Sequence, residues 1–515
     1  MSSRSPSTRI AVAASNPLAA GAALGMAEAG GNAVDAGLAA ILVAMVCEPG
    51  ICSPAGGAFV TVGPADGSAP VTYDGNVEMP GRGLPVGGGG SSRSSGLREV
   101  TTSYGGGLTM TVGHGSVATP GALAAIEQAH VRFGRAPWRD VVLPAVQAAR
   151  DGFPLGAASA YYLGLVHDIV YGWHPDSQAA LHDADGLLLA AGATVHIAHL
   201  ADSLQLIADE GAAALYRGDL AKMIAADMAE HGGLVTEADL AAYRAVARPA
   251  LVVPYGHWVL ATNPPPSIGG PVLAAMLILI EHRSLDDVAG LAAVQEAVLR
   301  YRLDHLDVAA DRQVAAQRLL DLVGADGIAG LGGPASTVHV SAVDGEGWAC
   351  AVTSSAGYGS GVMTPGTGLW LNNCLGEPEL NRRGLHALEA GERLPSNMAP
   401  TVGRTAAGEV LAIGSPGADR ITTALLQVLA GFAGGGLDLA TAIARPRLHV
   451  SRSADGPAVE HEDDLVLPPL PWPTHSRGPA SMYFGGVGAA LRRADGTLYA
   501  AADPRREGVA AVAAP

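Results

Sequence analysis

The 515-residue sequence predicts a layered α+β fold. Two stretches of contrasting texture point to it. From Thr119 to about Gly330 apolar residues recur at helical spacing. After Ser336 short runs of β-branched and small residues take over, separated by turn residues. Strict strand–helix alternation, the mark of a doubly wound parallel sheet, is absent. With 49% hydrophobic and 15% charged residues, the chain can bury a large core and lies far from a disordered composition. At about 100–200 residues per domain the length allows two or three domains, or one larger layered unit.

The elements follow in order. IAVAA at 10–14 reads as a strand. Asn16 caps a helix that starts at Pro17, where a missing N–H costs nothing, and Gly30-Gly31 end it. Asn32 opens a second helix, AVDAGLAAILVAMVCEP, which is apolar nearly all round and therefore buried. The 83–95 stretch, rich in Gly and Ser, reads as a loop. Thr236-Glu237-Ala238-Asp239 is a helix start with acidic residues in the first turn. NPPPSIGG at 263–270 is a stiff turn followed by a Gly pair. TVHVSAV and WACAVTSS, joined by Asp344-Gly345-Glu346-Gly347, read as a hairpin. A strand around VLAIGSP, helices from Ile421 to Ala433 and from Leu437 to Ala444, and two closing strands complete the chain.

A formal net charge of −17 would repel phosphate backbones, which excludes nucleic acid as a partner. The four cysteines, Cys47, Cys52, Cys350 and Cys374, are too few for a disulfide scaffold and read as buried thiols. Neither they nor His114 and the scattered histidines have metal-ligand spacing, so no metal or other cofactor is expected. The N-terminus lacks an uninterrupted apolar segment of signal-peptide type, and the apolar stretch at 33–46 is too short to span a bilayer. A cytoplasmic protein without a membrane partner is the resulting expectation.

Ten segments in a fixed order resemble the γ-glutamyltransferase (γ-glutamyl transpeptidase) family. They are GGNAVDAG (30–37), GHGSVATPG (113–121), AARDGFPL (148–155), GGLVTEADLAAY (232–243), PPPSIGG (264–270), STVHVSAVD (336–344), GYGSG (357–361), LWLNN (369–373), PSNMAPT (395–401) and GSPGADRI (414–421). The resemblance implies an N-terminal-nucleophile hydrolase with four layers, αββα. It also implies a precursor that cuts itself between Ser336 and Thr337. The fragments would be 1–336 and 337–515, together one αββα unit.

The chemistry suits that position. A Thr hydroxyl is a poor nucleophile at neutral pH until a base takes its proton. Cleavage before Thr337 frees an α-amino group with a reference pKa of ~7.7–8.0, which can be that base. A hydrolase built on Ser336 with His339 as base fails on geometry, because three residues of extended strand separate them by about 10 Å. By resemblance, Ser355 orients the Thr337 hydroxyl, and the backbone N–H groups of Gly417 and Ala418 form the oxyanion site. Gly–Gly is the family's pair there, and Ala418 is expected to cost little provided its φ is allowed.

Recognition departs from the family. Ser396 and Asn397 stand where a Ser–Ser pair holds the donor carboxylate. Glu377 stands where an Asp holds the donor ammonium, Cys374 replaces a nearby amide, and Gly357 replaces an Asn. Arg82, in Glu78-Met79-Pro80-Gly81-Arg82, is the candidate carboxylate clamp. The expected activity is transfer of the acyl group of a γ-glutamyl amide, such as glutathione, through a Thr337 ester to water or an amine. An amidohydrolase or acylase of the same family, acting on an oxamate-like or cephalosporin-like amide, is the alternative. An unprocessed binding or scaffold protein is the alternative of another class. A homo-oligomer is compatible with either.

Overall fold

The computed structural model describes residues 7–84, 96–102, 107–325, 337–453 and 456–513. Ser336 and the Gly/Ser-rich 85–95 stretch lie outside the described residues. The two helix starts read from the first 35 residues are formed by the expected bonds. Asn16 Oδ1 accepts the Ala19 N–H at 2.9 Å and begins helix Pro17–Glu28. Asn32 and Asp35 cap each other's backbone N–H groups at the start of helix Ala33–Cys47, every residue of which is buried.

Two antiparallel sheets lie at the centre. The first has seven strands in the order Val509–Ala513, Ile10–Ala14, Val338–Asp344, Ala349–Ser355, Gly57–Gly63, Val71–Gly75 and Val246–Pro249. The second has six: Leu498–Ala502, Gly488–Arg492, Val410–Gly414, Thr401–Thr405, Trp258–Thr262 and Leu251–Tyr255. Side chains alternate along each strand. In the hairpin Val338–Asp344/Ala349–Ser355, Val338, Val340, Ala342, Cys350 and Val352 join one helix layer. Val343, Ala349 and Ala351 meet Val402, Val410, Ala412 and Ala490 of the other sheet.

Helices Pro17–Glu28, Ala33–Cys47, Ala122–Phe133 and Trp138–Asp151 cover the outer face of the first sheet. Gly269–Arg283, Val288–Tyr301, Arg312–Ala325 and Arg420–Leu429 cover the second. The result is the expected αββα stack. Among the described residues no helix is long and apolar enough to cross a membrane.

The central hairpin is pinned by one side chain. Asp344 Oδ1 accepts the N–H groups of Glu346, Gly347 and Trp348, while its Oδ2 accepts the Ala33 N–H at the start of the buried helix. One carboxylate thus holds the hairpin turn and its docking onto the helix layer.

Inside the stretch taken as helical the sequence reading missed three strands of the central sheets, at Val246–Pro249, Leu251–Tyr255 and Trp258–Thr262. They are only four and five residues long, and Pro249 and Pro254 interrupt their pattern, so their period-2 signal is weak. The helix read from Ile421 to Ala433 is α-helical over Arg420–Leu429 and ends in a wider turn at Ala430–Gly434. The helix expected from Leu437 begins at Leu439, because Asp438 is its cap.

Candidate active site

Thr337 immediately precedes strand Val338–Asp344 and is 3% exposed. The register pairs Val338 with Ser354, so one step further Thr337 faces Ser355 across the hairpin. Directly opposed residues of an antiparallel pair have Cβ atoms about 4.5–5.5 Å apart. The eighteen-residue separation of these two hydroxyls therefore becomes adjacency by strand register. Ser355 Oγ accepts the Gly357 N–H at 3.0 Å.

The oxyanion candidates occupy the turn between strand Val410–Gly414 and helix Arg420–Leu429. Gly417 has φ +122°, and a Cβ there would come within 2.8 Å of the Gly485 backbone. Ala418 has φ +68°. That is the left-handed region, so the condition on which alanine costs little is not met. The left-handed region costs an L-residue about 1–2 kcal/mol, and packing of the buried Ala418 holds it there.

Thr337, Ser355 and Ala418 line one cavity together with Cys374, Glu377, Ser396, Asn397 and Asn76. Its volume is about 30 Å³, room for a water or two. Asn397 is 4% exposed, and neither its Oδ1 nor its Nδ2 has a hydrogen-bond partner among the described residues. A buried amide without partners is costly, and a polar ligand would satisfy it. The segment carrying Ser396 and Asn397 is fixed from behind. The Ile268 and Gly269 N–H groups both donate to the Ser396 carbonyl at 3.0 Å, and a Cβ on Gly269 would lie 2.2 Å from the Asn397 carbonyl. PPPSIGG thus acts as a close-fitting support for the cavity wall.

Glu377 is 2% exposed. Burial, then the neighbouring Glu379 carboxylate, push its pKa well above the carboxylate range, with a Cys374 hydrogen bond acting the other way. No ion pair to Glu377 is found among the described residues. Gly357 matters here: with φ +67°, it leaves no room for a side chain, since a Cβ would approach Asn373 Oδ1 to 2.3 Å and Glu377 Oε1 to 2.9 Å. An Asn at 357 is incompatible with this placement of Glu377.

Arg82 does not line the cavity. Its guanidinium pairs with Glu78 at 3.2 Å and Asp239 at 3.6 Å. Asp239 also accepts the Gly81 and Arg82 backbone N–H groups. The carboxylate clamp expected at Arg82 is therefore corrected: the acidic residue that caps the helix starting after Thr236 holds this arginine elsewhere. Among the described residues, no lysine or arginine lines the cavity.

His339 lies between the sheets, its two ring nitrogens 2.8 Å from Thr353 Oγ1 and 2.7 Å from Ser341 Oγ. Burial pushes its pKa down to about 3. It packs against the Gly414 backbone, where a Cβ would come within 2.2 Å of the ring. Its role is to fill space with a neutral ring. All four cysteines are buried and free. Asn76, at the end of strand Val71–Gly75, lines the cavity without a sequence signal that could have marked it. His114, Asp227 and His231, which have no motif spacing, converge away from this cavity.

A family model described as Gamma-glutamyltranspeptidase matches residues 19–513. A glutathione hydrolase proenzyme of Escherichia coli (strain K12) is 30% identical, over 92% of this chain and 87% of its own. An acylase ACY 1 proenzyme of Pseudomonas sp. (strain V22) is also 30% identical, over 96% of this chain and 92% of its own. The crystal structure of a cephalosporin acylase from Bacillus halodurans superposes with a TM-score of 0.76 at 22% identity, covering 98% of this chain and 96% of that one. That likeness shows the same fold.

Proposed function

The chain belongs to the γ-glutamyltranspeptidase family, an enzyme with an N-terminal nucleophile, and from that premise we propose that Thr337 is the nucleophile and a γ-glutamyl amide the donor. The observation that carries the proposal is the shared cavity. It gathers Thr337, Ser355 and Ala418 with Glu377, Ser396 and Asn397.

In processing, Thr337 Oγ attacks the carbonyl of residue 336, and the peptide C–N bond breaks as an ester forms. Water then cleaves the ester and leaves a free Thr337 amino group. In turnover that amine takes the Oγ proton while Oγ attacks the donor's γ-carbonyl. The N–H groups of Gly417 and Ala418 receive the developing oxyanion at the N-terminal end of helix Arg420–Leu429, where backbone dipoles favour negative charge. Collapse expels the amine, which leaves with the proton. Water or an acceptor amine then attacks the ester. The fragments 1–336 and 337–515 remain one αββα unit throughout.

Glu377 would hold the donor ammonium, whose charge offsets the cost of ionising a buried carboxyl. Asn397 and Ser396 would take the donor carboxylate by hydrogen bonds alone. An acylase or amidohydrolase acting on a non-glutamyl amide is the second reading, favoured by the placement of Arg82 outside the cavity. Turnover of γ-glutamyl, glutaryl and oxamate amides by the processed enzyme separates the two. A preference for the γ-glutamyl amide is expected, and a preference for either other donor would overturn the assignment.

A further inference from the structure

Away from the cavity, three side chains bring metal-ligating atoms to one point. His114 lies in the short turn His114–Ser116; Asp227 and His231 are one helical turn apart, at the C-terminal end of helix Asp219–Glu230. Residues four apart on a helix share a face, so Asp227 and His231 can grip one ion between them. Their ligand atoms and that of His114 all lie within 4.8 Å of one another. His114 Nε2 is 3.4 Å from Asp227 Oδ1, and His231 Nδ1 is 3.0 Å from the same oxygen. A tetrahedral zinc ion with ligands at about 2.0–2.1 Å has ligand–ligand edges of about 3.3 Å. The two measured edges, both to Asp227, bracket that value, while the His114 and His231 rings stack with centroids 4.7 Å apart.

Hydrogen bonding accounts for only part of the cluster: His231 Nδ1 lies 3.0 Å from both the Asp227 carbonyl and Asp227 Oδ1. His114 and Asp227 are 5% and 7% exposed, yet His114 Nε2 and Asp227 Oδ2 have no hydrogen-bond partner among the described residues. His174 adds a third imidazole beside His114, with ring centroids 6.3 Å apart, and its buried Nδ1 is likewise without a partner. Buried polar atoms are nearly always satisfied, and three orphans in one cluster point to a missing partner of opposite demand. Asp227 Oδ2 offers a lone pair when the carboxylate is ionised, and His114 Nε2 and His174 Nδ1 do so in the tautomer that carries the proton on the other ring nitrogen, so a cation satisfies all three. Imidazole with carboxylate suits zinc among the available divalent ions.

We propose that His114, Asp227 and His231 bind a zinc ion, with water at the fourth position on the solvent side, where the His231 side chain is 48% exposed. The site ties helix Asp219–Glu230 to the turn at 114–116. That turn in turn supports the active-site wall: the Leu375 N–H donates to the Ser116 carbonyl at 3.1 Å, between Cys374 and Glu377. The ion thus clips together two long-range segments and stiffens the loop that carries Glu377, without touching the reacting atoms.

The test is a zinc titration of the full chain, freed of metal by chelator, against a chromophoric competitor. Bound metal is counted by elemental analysis, and cobalt(II) serves as a coloured substitute. One zinc per chain and the visible absorption of tetrahedral cobalt are expected. Losing a ligand exceeds the 10–100-fold that outer partners cost, so His231→Ala should weaken zinc by more than about 100-fold. His231 is half exposed, so its removal leaves the core packing intact. Asp227→Asn, which keeps shape and removes charge, should do the same. Zinc should raise the melting temperature of the wild type and leave that of His231→Ala unchanged. A wild type that retains no zinc, or variants that bind it as tightly as the wild type, would overturn the proposal.

Discussion

The wall of the cavity formed by strands and the wall formed by loops differ in how they are held. Thr337 and Ser355 sit on paired strands, and Gly417 and Ala418 follow a third strand into a helix. Backbone register positions the first two and the strand-to-helix turn the other two, and side-chain identity matters little to where Thr337 and Ser355 lie. Glu377, Ser396 and Asn397 sit on irregular segments held by scattered contacts, such as the Leu375–Ser116 and Ile268–Ser396 hydrogen bonds. There a changed residue alters what the wall recognises. Of the departures from the family pattern, Glu377, Asn397, Cys374 and Gly357 fall on this second wall and Ala418 alone on the first. A ladder-bound site tolerates little drift, whereas a loop-bound site can be retuned one residue at a time.

The largest effect should come from the strand-borne wall. Thr337→Ala is expected to leave a single uncut chain on electrophoresis and to lower turnover by about 10³-fold or more. Thr337→Ser should retain some cleavage and activity, since a hydroxyl remains. A cut Thr337→Ala chain would remove Thr337 from the mechanism.

The loop-borne wall should show a smaller and donor-selective effect. Stripping a buried charge of its partner costs ~2–5 kcal/mol, so Glu377→Ala should lower kcat/KM for a γ-glutamyl donor by roughly thirtyfold or more. A glutaryl donor, which lacks the ammonium, should be nearly unaffected. The pH dependence carries the same signature. Burial holds Glu377 protonated well above the usual carboxylate range, and only its ionised form attracts an ammonium. The kcat/KM for the γ-glutamyl donor should therefore rise with pH through that raised value, while the glutaryl donor does not follow. Equal losses for both donors would break the division of labour between the walls.

A third measurement probes the sheets behind the nucleophile. His339 is neutral in the fold, its pKa depressed from 6.5 to about 3. The unfolded chain takes up a proton below 6.5 and the folded chain does not. This contribution to stability is therefore complete above pH 6.5 and is lost as pH falls toward 3. Melting temperature should fall with acidification in the wild type and less steeply in His339→Asn. Parallel curves would show that other groups govern the acid limit.

The smallest effect is expected at Ala418. Glycine relieves about 1–2 kcal/mol of left-handed strain but returns some entropy to the unfolded chain, for a net gain of up to about 1 kcal/mol. Ala418→Gly keeps the N–H, so kcat should hold while the melting temperature rises slightly. A large drop in kcat would mean that the strained turn itself sets the oxyanion geometry.

Much of this was legible in the residues because it rests on local physics. The caps at Asn16, Asn32 and Thr236, the hairpin that brings Thr337 opposite Ser355, and the change of texture near residue 336 all follow from spacing, propensity and turn chemistry. One expectation gave way to a distant partner, and one cluster left no trace in the spacing of its residues. Arg82 lies within four residues of Glu78, but what holds it outside the cavity also includes Asp239, 157 positions away. His114 meets Asp227 and His231 only because packing folds a turn onto a remote helix. The sequence by itself determined the helix caps, the hairpin and the change of texture, since those depend on contacts between near neighbours in the chain, while the four layers and the residues of the chemistry were legible only through the family resemblance. Tertiary structure alone decided which charges face the cavity, which are neutralised elsewhere and which imidazoles converge. Those outcomes depend on pairings across more than a hundred residues, and no periodicity in the chain records them.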